Sequence, residues 1–314
     1  MSLLALGQKS VPKSAAQVVR FFTNDYGWLI AQKTDFHILV EFDVGFVSQN
    51  FDVYVSTSQL KEYLKVIKEP LFRYEDGVLS MNDLALTTVQ TESPQVYQLN
   101  PTKVMKVNID DKMLELIRKS ARFTATSEER PICTYVAVDE HNVVATDTYV
   151  LYKGQHNAQV DRLMFIPGGV VPYLCAGEIQ AEAVKSKTHY VFCGADRKVY
   201  WSVDDLIYFN YNKIITDKPL SEEFPAGKWY LEYVNKLAAQ AKCIGAAHNP
   251  IRVKNVLCSD HAFSAKYVQL ILKTIGKENF TVSYTENLSP IRFDTCNETM
   301  ILTPVRPGDD PIPE

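Results

Sequence analysis

The stretch VVATDTYVLYK (143–153), followed by FIPGGVVPYL (165–174), decides the fold because its pattern occurs a second time in the chain. A Thr-Asp pair lies 21 residues before Pro167 in this stretch, and another Thr-Asp pair lies 22 residues before Ser56. The two pairs are Thr34-Asp35 and Thr146-Asp147. Markers that recur in the same order and at nearly the same spacing indicate an internal repeat.

Each repeat is expected to contain a short strand, a serine or proline, and then an amphipathic helix. Three segments fit this description: 53–70, 163–178 and 262–278, with predicted helices starting at Ser56, Pro167 and Ser264. These starts are 111 and 97 residues apart, which predicts a unit of about 100 residues used three times. The third copy has no clear Thr-Asp pair before its helix.

Strand and turn patterns follow each of these helices. Residues 71–89 have a turn signal at Asp76-Gly77, and residues 189–212 have turn signals at 194–196 and 204–205. Residues 280–305 continue the pattern. Apolar and polar side chains alternate around polar turns, as is typical of antiparallel hairpins.

A second type of helix precedes the strands in two of the repeats. Segments 109–124 and 227–245 both carry apolar residues at helical spacing on one face. The predicted fold class is α+β, with three repeated domains that each combine an antiparallel sheet and helices. Turn- and proline-rich segments near 100 and 220 predict domains at 1–100, 101–220 and 221–306, followed by a tail at 307–314.

The charge balance argues against a protein that coats itself with nucleic acid through bulk positive charge. The chain has 33 Lys and Arg against 37 Asp and Glu, a net charge of −4, although basic residues can still lie together on one surface. The six cysteines are scattered, so we expect no disulfide framework, no metal and a reduced, cytoplasmic protein. No signal peptide or membrane-spanning stretch is expected.

Basic residues fall opposite the apolar stripes of four predicted helices. Long Lys and Arg side chains can contact phosphates loosely, without reading the base sequence. Aromatic residues are not interleaved with them, which favours duplex DNA over single strands. A solvated helix face is the alternative for any one of these helices. The candidate DNA-binding residues are Lys61, Lys65, Lys68, Lys112, Arg118, Lys119, Arg122, Lys236, Lys242, Lys266 and Lys273.

The layout resembles the bacterial beta sliding clamp family, the beta subunits of DNA polymerase III. Five segments carry the resemblance: KVNIDDKMLELIRKSARF (106–123), VVATDTYVLYK (143–153), FIPGGVVPYL (165–174), FSAKYVQLILKTI (263–275) and MILTPVR (300–306). The resemblance implies the DNA clamp fold, a head-to-tail homodimer, and a ring with the helices on its inner face. It implies a non-catalytic processivity factor without a cofactor, which encircles duplex DNA at the nucleoid and tethers a DNA polymerase.

The resemblance also implies a pocket for a short linear peptide of the DNA polymerase or the clamp loader. Apolar anchors in a groove, oriented by few polar groups, suit such a peptide. Leu151, Leu302 and Val305 can equally be ordinary strand core. By motif, the pocket residues are Thr146, Thr148, Tyr149, Val150, Leu151, Tyr267, Leu302, Pro304, Val305 and Arg306.

The chain departs from the family at several places. It is shorter: its first helix is expected to be lost or reduced to residues 2–10, and a strand pair between 249 and 262 is expected to be missing. The family's Gly-His-Arg is Thr148-Tyr149-Val150 here, and its Phe-Pro-Asp-Tyr segment is expected to be replaced by residues 214–225. These departures predict a compact, divergent clamp.

Two other functions stay open at this point. The chain has no Walker loop and none of the common nucleotide-binding, zinc-protease or hydrolase motifs. An enzyme with a β-rich fold and a site dispersed in sequence would lack these motifs as well. A clamp-like scaffold or decoy would bind replication partners without encircling DNA, and the short first domain is compatible with that.

Overall fold

The computed structural model describes residues 17–305, apart from 36, 48, 83, 90–93, 95, 128, 216–219, 225–227, 245–249, 253–261 and 286–288. The chain divides into two compact units. The first unit contains the chain up to Leu114 and Gly169–Asp205, and the second contains Glu115–Gly168 and the chain from Leu206 onward. Each unit is built around one eight-stranded sheet.

The described residues form 21 strands and four α-helices. The strands are β1 (Val18–Thr23), β2 (Trp28–Thr34), β3 (Ile38–Phe46), β4 (Asp52–Ser56), β5 (Phe72–Glu75), β6 (Val78–Met81), β7 (Leu84–Ala85), β8 (Met105–Ile109), β9 (Tyr135–Val138), β10 (Asn142–Thr146), β11 (Val150–Gln155), β12 (Met164–Pro167), β13 (Gly177–Val184), β14 (Lys187–Gly194), β15 (Arg197–Asp204), β16 (Leu220–Phe224), β17 (Pro250–Ile251), β18 (Phe263–Ser264), β19 (Phe280–Tyr284), β20 (Ile291–Asp294) and β21 (Glu298–Leu302). The helices are α1 (Thr57–Val66), α2 (Asp111–Ser120), α3 (Lys228–Ile244) and α4 (Ala265–Ile275).

The sheet of the first unit has the strand order β4-β1-β2-β3-β15-β14-β13-β8. Side chains alternate between its two faces, and Val19 and Phe21 of β1 point to the same side as Leu29 of β2. On this side they form an apolar core with Leu60 of α1 and Leu79 of β6. Strands β5, β6 and β7 form a separate small sheet.

The sheet of the second unit has the strand order β12-β9-β10-β11-β21-β20-β19-β16. Strands β9 to β12 thus take the places that β1 to β4 have in the first unit, and the other four strands correspond in the same way. Helices α3 and α4 belong to this unit, and Gln269 Nε2 donates a hydrogen bond to Asn235 Oδ1 across them (2.8 Å). The shared strand order confirms the predicted repeat and the antiparallel α+β fold.

Each large sheet joins strands from two successive predicted domains. Strand β3 of the first predicted domain pairs with β15 of the second, and β11 of the second pairs with β21 of the third. The compact units therefore divide the chain differently from the predicted domains. The domain boundaries near 100 and 220 stay a prediction.

The two Thr-Asp markers form the same turn in both units. Thr34 Oγ1 donates to the carbonyl oxygen four residues later (3.1 Å), and Asp35 Oδ1 accepts from the amide three residues later (2.8 Å). In the second unit the corresponding distances are 2.7 Å from Thr146 Oγ1 and 3.1 Å to Asp147 Oδ1. The Thr-Asp pair recurs because its hydroxyl and carboxylate form hydrogen bonds with the backbone groups of a tight turn.

Two of the three predicted turns are confirmed. Asp76 and Gly77 join β5 to β6, and both have positive φ (49° and 82°), as a two-residue hairpin turn of type I′ requires. Strands β14 and β15 are joined around 195–196 as predicted. The predicted hairpin at 204–205 is wrong, because residues 206–210 form no strand. Their aromatic side chains pack instead on the sheet of the second unit.

Two of the three predicted helix starts are confirmed, since α1 follows Ser56 and α4 follows Ser264. Pro167 also ends a strand, but the amphipathic helix predicted within 163–178 is wrong: only a 3₁₀ turn at Val171–Tyr173 forms there. Gly168 and Gly169 disfavour a helix, as does the proline at 172. Helices α2 and α3 confirm the predictions at 109–124 and 227–245.

The helix predicted at residues 2–10 and the tail at 307–314 lie outside the described residues. The same holds for most of the segment between 249 and 262, in which the structure describes β17, paired with β18. None of the helices in the described part of the chain is long and apolar enough to cross a membrane.

Candidate functional site

The Thr-Asp turn of the second unit presents an exposed tyrosine. Asp147 Oδ1 accepts hydrogen bonds from the amides of Tyr149 (3.0 Å) and Val150 (3.1 Å). Its other carboxylate oxygen, Oδ2, accepts from the hydroxyl of Tyr267 at 2.5 Å. The carboxylate therefore fixes the turn and holds α4 against it, while 49% of Tyr149 stays exposed.

The rings of the two tyrosines stack on each other beside a lysine. The ring centroids of Tyr149 and Tyr267 lie 6.1 Å apart with the rings tilted by 19°, and Lys266 Nζ lies 5.0 Å from the centroid of the Tyr267 ring. Burial, together with the hydrogen bond to Asp147, raises the pKa of the Tyr267 phenol. That hydroxyl is donated to Asp147 and the ring stacks on Tyr149, so the side chain of Tyr267 is held in place on two sides.

Strands β11 and β21, which pair next to this turn, place their apolar residues on both faces of the sheet. Leu151 pairs with Ile301, and Val150 pairs with Leu302. Neighbours along a strand point to opposite faces, so the second pair lies on the other side from the first. Leu151 and Ile301 form a buried cluster with Tyr211 on one face. Val150 and Leu302 are also buried, on the other face, with 2% and 0% of their surface exposed.

The structure brings together part of the predicted pocket. Thr148 and Tyr149 are exposed, while Tyr267, Pro304 and Val305 are half-buried. The amide of Thr303 donates to the carbonyl oxygen of Tyr149 at 3.0 Å, which joins the end of β21 to the turn. Four other predicted residues are buried, namely Thr146, Val150, Leu151 and Leu302. Arg306 lies outside the described residues.

Sequence reasoning missed several residues of this region. The sequence identifies Asp147 only as part of a repeat marker, and it does not identify Ile301, which lies directly opposite Leu151. Tyr208 and Phe209, which precede segment 214–225, pack against the cluster around Leu151. Strand alternation could have identified Ile301. The path of residues 206–210, which form no strand, carries no sequence signal.

A half-buried carboxylate, that of Asp139, holds Tyr211 against the sheet of the second unit. Asp139 Oδ2 accepts from the Tyr211 hydroxyl at 2.5 Å, and Asp139 Oδ1 accepts from the amides of His141 (2.9 Å) and Asn142 (2.8 Å). Burial pushes the pKa of Asp139 upward, but these hydrogen bonds outweigh it and leave the pKa below its usual value. The charged form of Asp139 is thus the form that the folded protein stabilises.

Replacing Tyr211 with Phe is expected to lower the free energy of unfolding by about 1–2 kcal/mol at neutral pH, because a hydrogen bond to a charged group is lost. The contribution of a carboxylate with a lowered pKa is present above its unfolded pKa and disappears as the pH falls through its folded pKa. The loss should therefore shrink below about pH 4. Urea unfolding from pH 7 down to pH 3 measures it. Tyr208→Phe is the matched control, since its hydroxyl donates at 3.4 Å to a backbone carbonyl. Equal losses for both variants at every pH would contradict the role of Asp139.

Thr148 holds a backbone conformation that normally favours glycine. Its φ is 84°, and a β-branched residue in this region is strained by about 1–3 kcal/mol. The strain therefore lies inside the candidate site, next to the exposed Tyr149.

Thr148→Gly is expected to raise the free energy of unfolding by about 1 kcal/mol, because the relief of strain exceeds the extra chain entropy of glycine. Thr148→Ala retains a Cβ atom and should give little of this gain. Thermal and urea unfolding of both variants measure the difference. A glycine variant that is less stable than the alanine variant would show that Thr148 is not strained.

The structure places the candidate DNA-binding residues unevenly. Lys112, Arg118, Lys236, Lys242 and Lys273 are exposed on α2, α3 and α4, as is Lys266. Lys61 is half-buried on α1, and the exposed Lys65 pairs with Glu62 (2.6 Å). Lys68 lies beyond the end of α1, and Arg122 lies in a 3₁₀ turn after α2.

Lys119 differs from the rest of this set because it pairs with a buried carboxylate. Its Nζ lies 2.5 Å from Glu298 Oε1, whose side chain is 7% exposed, and 3.3 Å from Glu115. Removing Lys119 would leave the buried Glu298 carboxylate unpaired, which is costly. Lys119 therefore stabilises the packing of α2 on β21, and phosphate contact stays a prediction for all eleven residues.

Comparison with solved structures identifies the class of fold as that of the DNA sliding clamps. Similar structures are a DNA polymerase sliding clamp from Bacillus subtilis (TM-score 0.77, 16% identity, 98% of this chain and 96% of that chain) and the DNA polymerase III beta subunit from Thermotoga maritima (0.77, 16%, 98% and 95%). A Pseudomonas aeruginosa clamp bound to griselimycin gives 0.78 and 14%, over 97% of this chain and 95% of that chain. The chain thus has the fold of bacterial DNA polymerase III beta clamps along nearly its whole length. No protein-family profile and no curated protein matches the sequence.

Proposed function

We propose that this protein is a DNA sliding clamp, a processivity factor that encircles duplex DNA and tethers a DNA polymerase. The observation that carries the proposal is the clamp fold over 97–98% of the chain. The protein would act without a catalytic site or cofactor, in the cytoplasm at the nucleoid. A processivity factor keeps the polymerase on DNA, which requires a closed ring and an inner surface that can slide along phosphates.

The proposed ring consists of two copies joined head to tail through the first and third predicted domains. Three domains supply half of a six-domain ring, and two identical interfaces close it. Light scattering at micromolar concentration should give twice the chain mass of 35.6 kDa. A stable species of a single chain mass at that concentration would count against the ring.

Exposed basic residues on the helices support the proposed contact with DNA. Lys112 and Arg122 lie on and just after α2, and both are exposed. The double variant Lys112→Glu with Arg122→Glu should reduce loading on nicked circular DNA by ~10-fold at low salt, because two phosphate contacts become repulsive.

Lys198→Glu is the matched control for this experiment. Lys198 is exposed on β15, and the next residue, Val199, is buried on the opposite face of the strand. Loading is measured by gel filtration of the DNA with its bound protein. Equal loading of the double variant and the control would show that α2 does not face the DNA.

The surface around Tyr149 and Tyr267 is proposed as the site for a linear peptide of a polymerase or clamp loader. A Helicobacter pylori beta clamp of the same fold (TM-score 0.73, 16% identity, 97% of this chain and 96% of that chain) has been solved bound to a DNA ligase peptide. The exposed ring of Tyr149 supplies apolar contact area in this chain, and Thr303 and Asp147 fix its backbone. Aromatic residues of this kind are frequent anchors of protein interfaces.

A clamp-like scaffold is the second candidate. The pairing of Lys119 with Glu298 and of Lys65 with Glu62 favours it, because both reduce the positive charge available to phosphates. A scaffold would bind the same peptides, but it would show no dependence on the topology of DNA.

A further inference from the structure

We propose that the far end of the β2–β3 hairpin is a second docking surface, which binds an extended segment of a partner protein that carries a lysine or arginine beside large apolar residues. The hairpin tip, as we call this end, comprises residues 25–28 and 43–47. It lies in the first unit, so the inference does not depend on the peptide site or on the proposed function.

The hairpin tip is an extension that the second unit lacks. Strands β2 and β3 have 7 and 9 residues, whereas the corresponding strands β10 and β11 have 5 and 6. The Thr-Asp turns join both pairs of strands at the same end. Counted from these turns, the additional residues are 28–29 and 44–46. The repeated fold forms without them in the second unit, so it does not require the tip.

The apolar side chains of the tip are open to solvent. Tyr26 and Phe46 are 81% and 71% exposed, and Trp28 and Val44 are 46% and 40% exposed. Trp28 lies directly opposite Phe46 on the neighbouring strand, so the two rings project from the same face. A group of exposed apolar side chains with a polar rim is typical of a surface that binds another protein.

The tip also has an open backbone edge. The pairing of β3 with β15 ends at Phe42, whereas its pairing with β2 continues to Phe46. The amide of Val47 donates to the carbonyl oxygen of Gly27 on the β2 side (3.0 Å). Successive strand residues direct their backbone groups to opposite sides, so those of Phe46 point away from β2. No strand in the described ranges pairs with Phe46 on that side, and an extended segment can form hydrogen bonds there.

The charge of the tip selects the kind of partner. Asp25 and Asp43 are exposed, and no basic group of the described residues lies within salt-bridge distance of either. Arg20 of the neighbouring strand β1 is already paired with Asp52 (2.6 Å). Two uncompensated carboxylates repel nucleic acids and anionic lipids, and they repel a second copy that brings the same charges. They attract a basic segment of another protein.

The test selects phage-displayed random peptides of about ten residues against the full chain. Depletion against the double variant Trp28→Thr with Phe46→Thr removes peptides that bind elsewhere, and threonine retains strand propensity. The remaining peptides should carry Lys or Arg beside large apolar residues. In fluorescence anisotropy, they should bind the double variant at least ~10-fold more weakly, because two exposed anchors are lost. Ile207→Thr is the matched control, since Ile207 is 97% exposed outside the hairpin, and it should keep wild-type affinity.

A second pair of variants tests the charge of the tip. Asp25→Asn with Asp43→Asn should weaken binding of the same peptides by about two- to fivefold at low salt, as expected for exposed ion pairs. High salt should remove this difference because it screens the charges. Asp161→Asn with Asp205→Asn removes two exposed carboxylates outside the hairpin and should leave binding unchanged. Equal affinity of both double variants overturns the inference.

Three further outcomes overturn the inference. The first is a selection that yields no peptide able to distinguish the wild-type protein from the Trp28 and Phe46 double variant, and the second is a selection of peptides rich in Asp and Glu. The third is a lower mass of that double variant in light scattering, which would assign the tip to a second copy of the chain.

Tyr26→Ser keeps the test decisive if the Trp28 and Phe46 double variant does not show the wild-type circular dichroism spectrum. Tyr26 lies in the exposed turn before β2, so its replacement leaves both strands intact. Peptides selected against the wild-type protein should then bind Tyr26→Ser about two- to fivefold more weakly, because one exposed anchor is lost. Unchanged binding of every selected peptide to Tyr26→Ser would overturn the inference.

Discussion

Linearising nicked circular DNA is expected to release protein loaded on it, shortening its residence by at least ~10-fold relative to the intact circle, because few phosphate contacts form at once and each is weak. A closed ring leaves a circle only by opening, whereas it slides off any end. Direct affinity for short open duplexes should be low and should fall steeply with salt, by a log–log slope of ~0.9 for each phosphate contact.

The measurement is a fluorescence time course of labelled protein on the circle before and after cutting at one restriction site. Linear DNA with a bulky protein bound at both ends is the control, because it restores the topological block without restoring the circle. Residence on the blocked DNA should match that on the circle. A protein that stays equally long on open linear DNA is held by affinity, and the clamp proposal then gives way to the scaffold.

Leu302→Ala is expected to lower the free energy of unfolding by about 2–5 kcal/mol, as is usual for a large apolar side chain removed from a close-packed core. Leu302 is fully buried and lies between Val150 of β11 and Ile291 of β20. The resemblance predicts Leu302 in the peptide pocket, and its complete burial favours the alternative of strand core. Urea unfolding measures the loss.

Tyr149→Ala is the matched comparison, because Tyr149 is half exposed at the same sheet edge. Its loss of stability should stay below about 1 kcal/mol, while affinity for an aromatic peptide should fall by about fivefold or more. The two variants thus separate packing from binding. Leu302→Ala with wild-type stability and reduced peptide affinity would return Leu302 to the binding surface.

The architecture could be predicted because its signals are local and repeated. The Thr-Asp pairs mark turns whose side-chain hydrogen bonds are the same in both units. Asp76-Gly77 marks a hairpin that only residues tolerant of positive φ can form. Ser56 and Ser264 stand where strands end and helices begin. In each case a few neighbouring residues fix the backbone without help from distant ones.

The site could be predicted only in part because it depends on which face of a strand a residue occupies. The motif named Val150, Leu151 and Leu302 together, although strand alternation puts the first and last on one face and Leu151 on the other. A shift of one residue reverses every such assignment. The ion pair of Lys119 could not be predicted from a local pattern either, because its partner Glu298 lies 179 residues away in sequence.

Each large sheet contains strands that are far apart in sequence. This determines when each sheet can form during synthesis of the chain. Tyr200 of β15 donates to Glu41 of β3 across a sequence separation of 159 residues, so β3 waits for its partner until two thirds of the chain has left the ribosome. High contact order of this kind slows folding. Until then an unpaired edge stands open to other strands. Truncation near residue 100 or 220 would leave such an edge permanently, so fragments cut there should aggregate where the intact chain stays monodisperse.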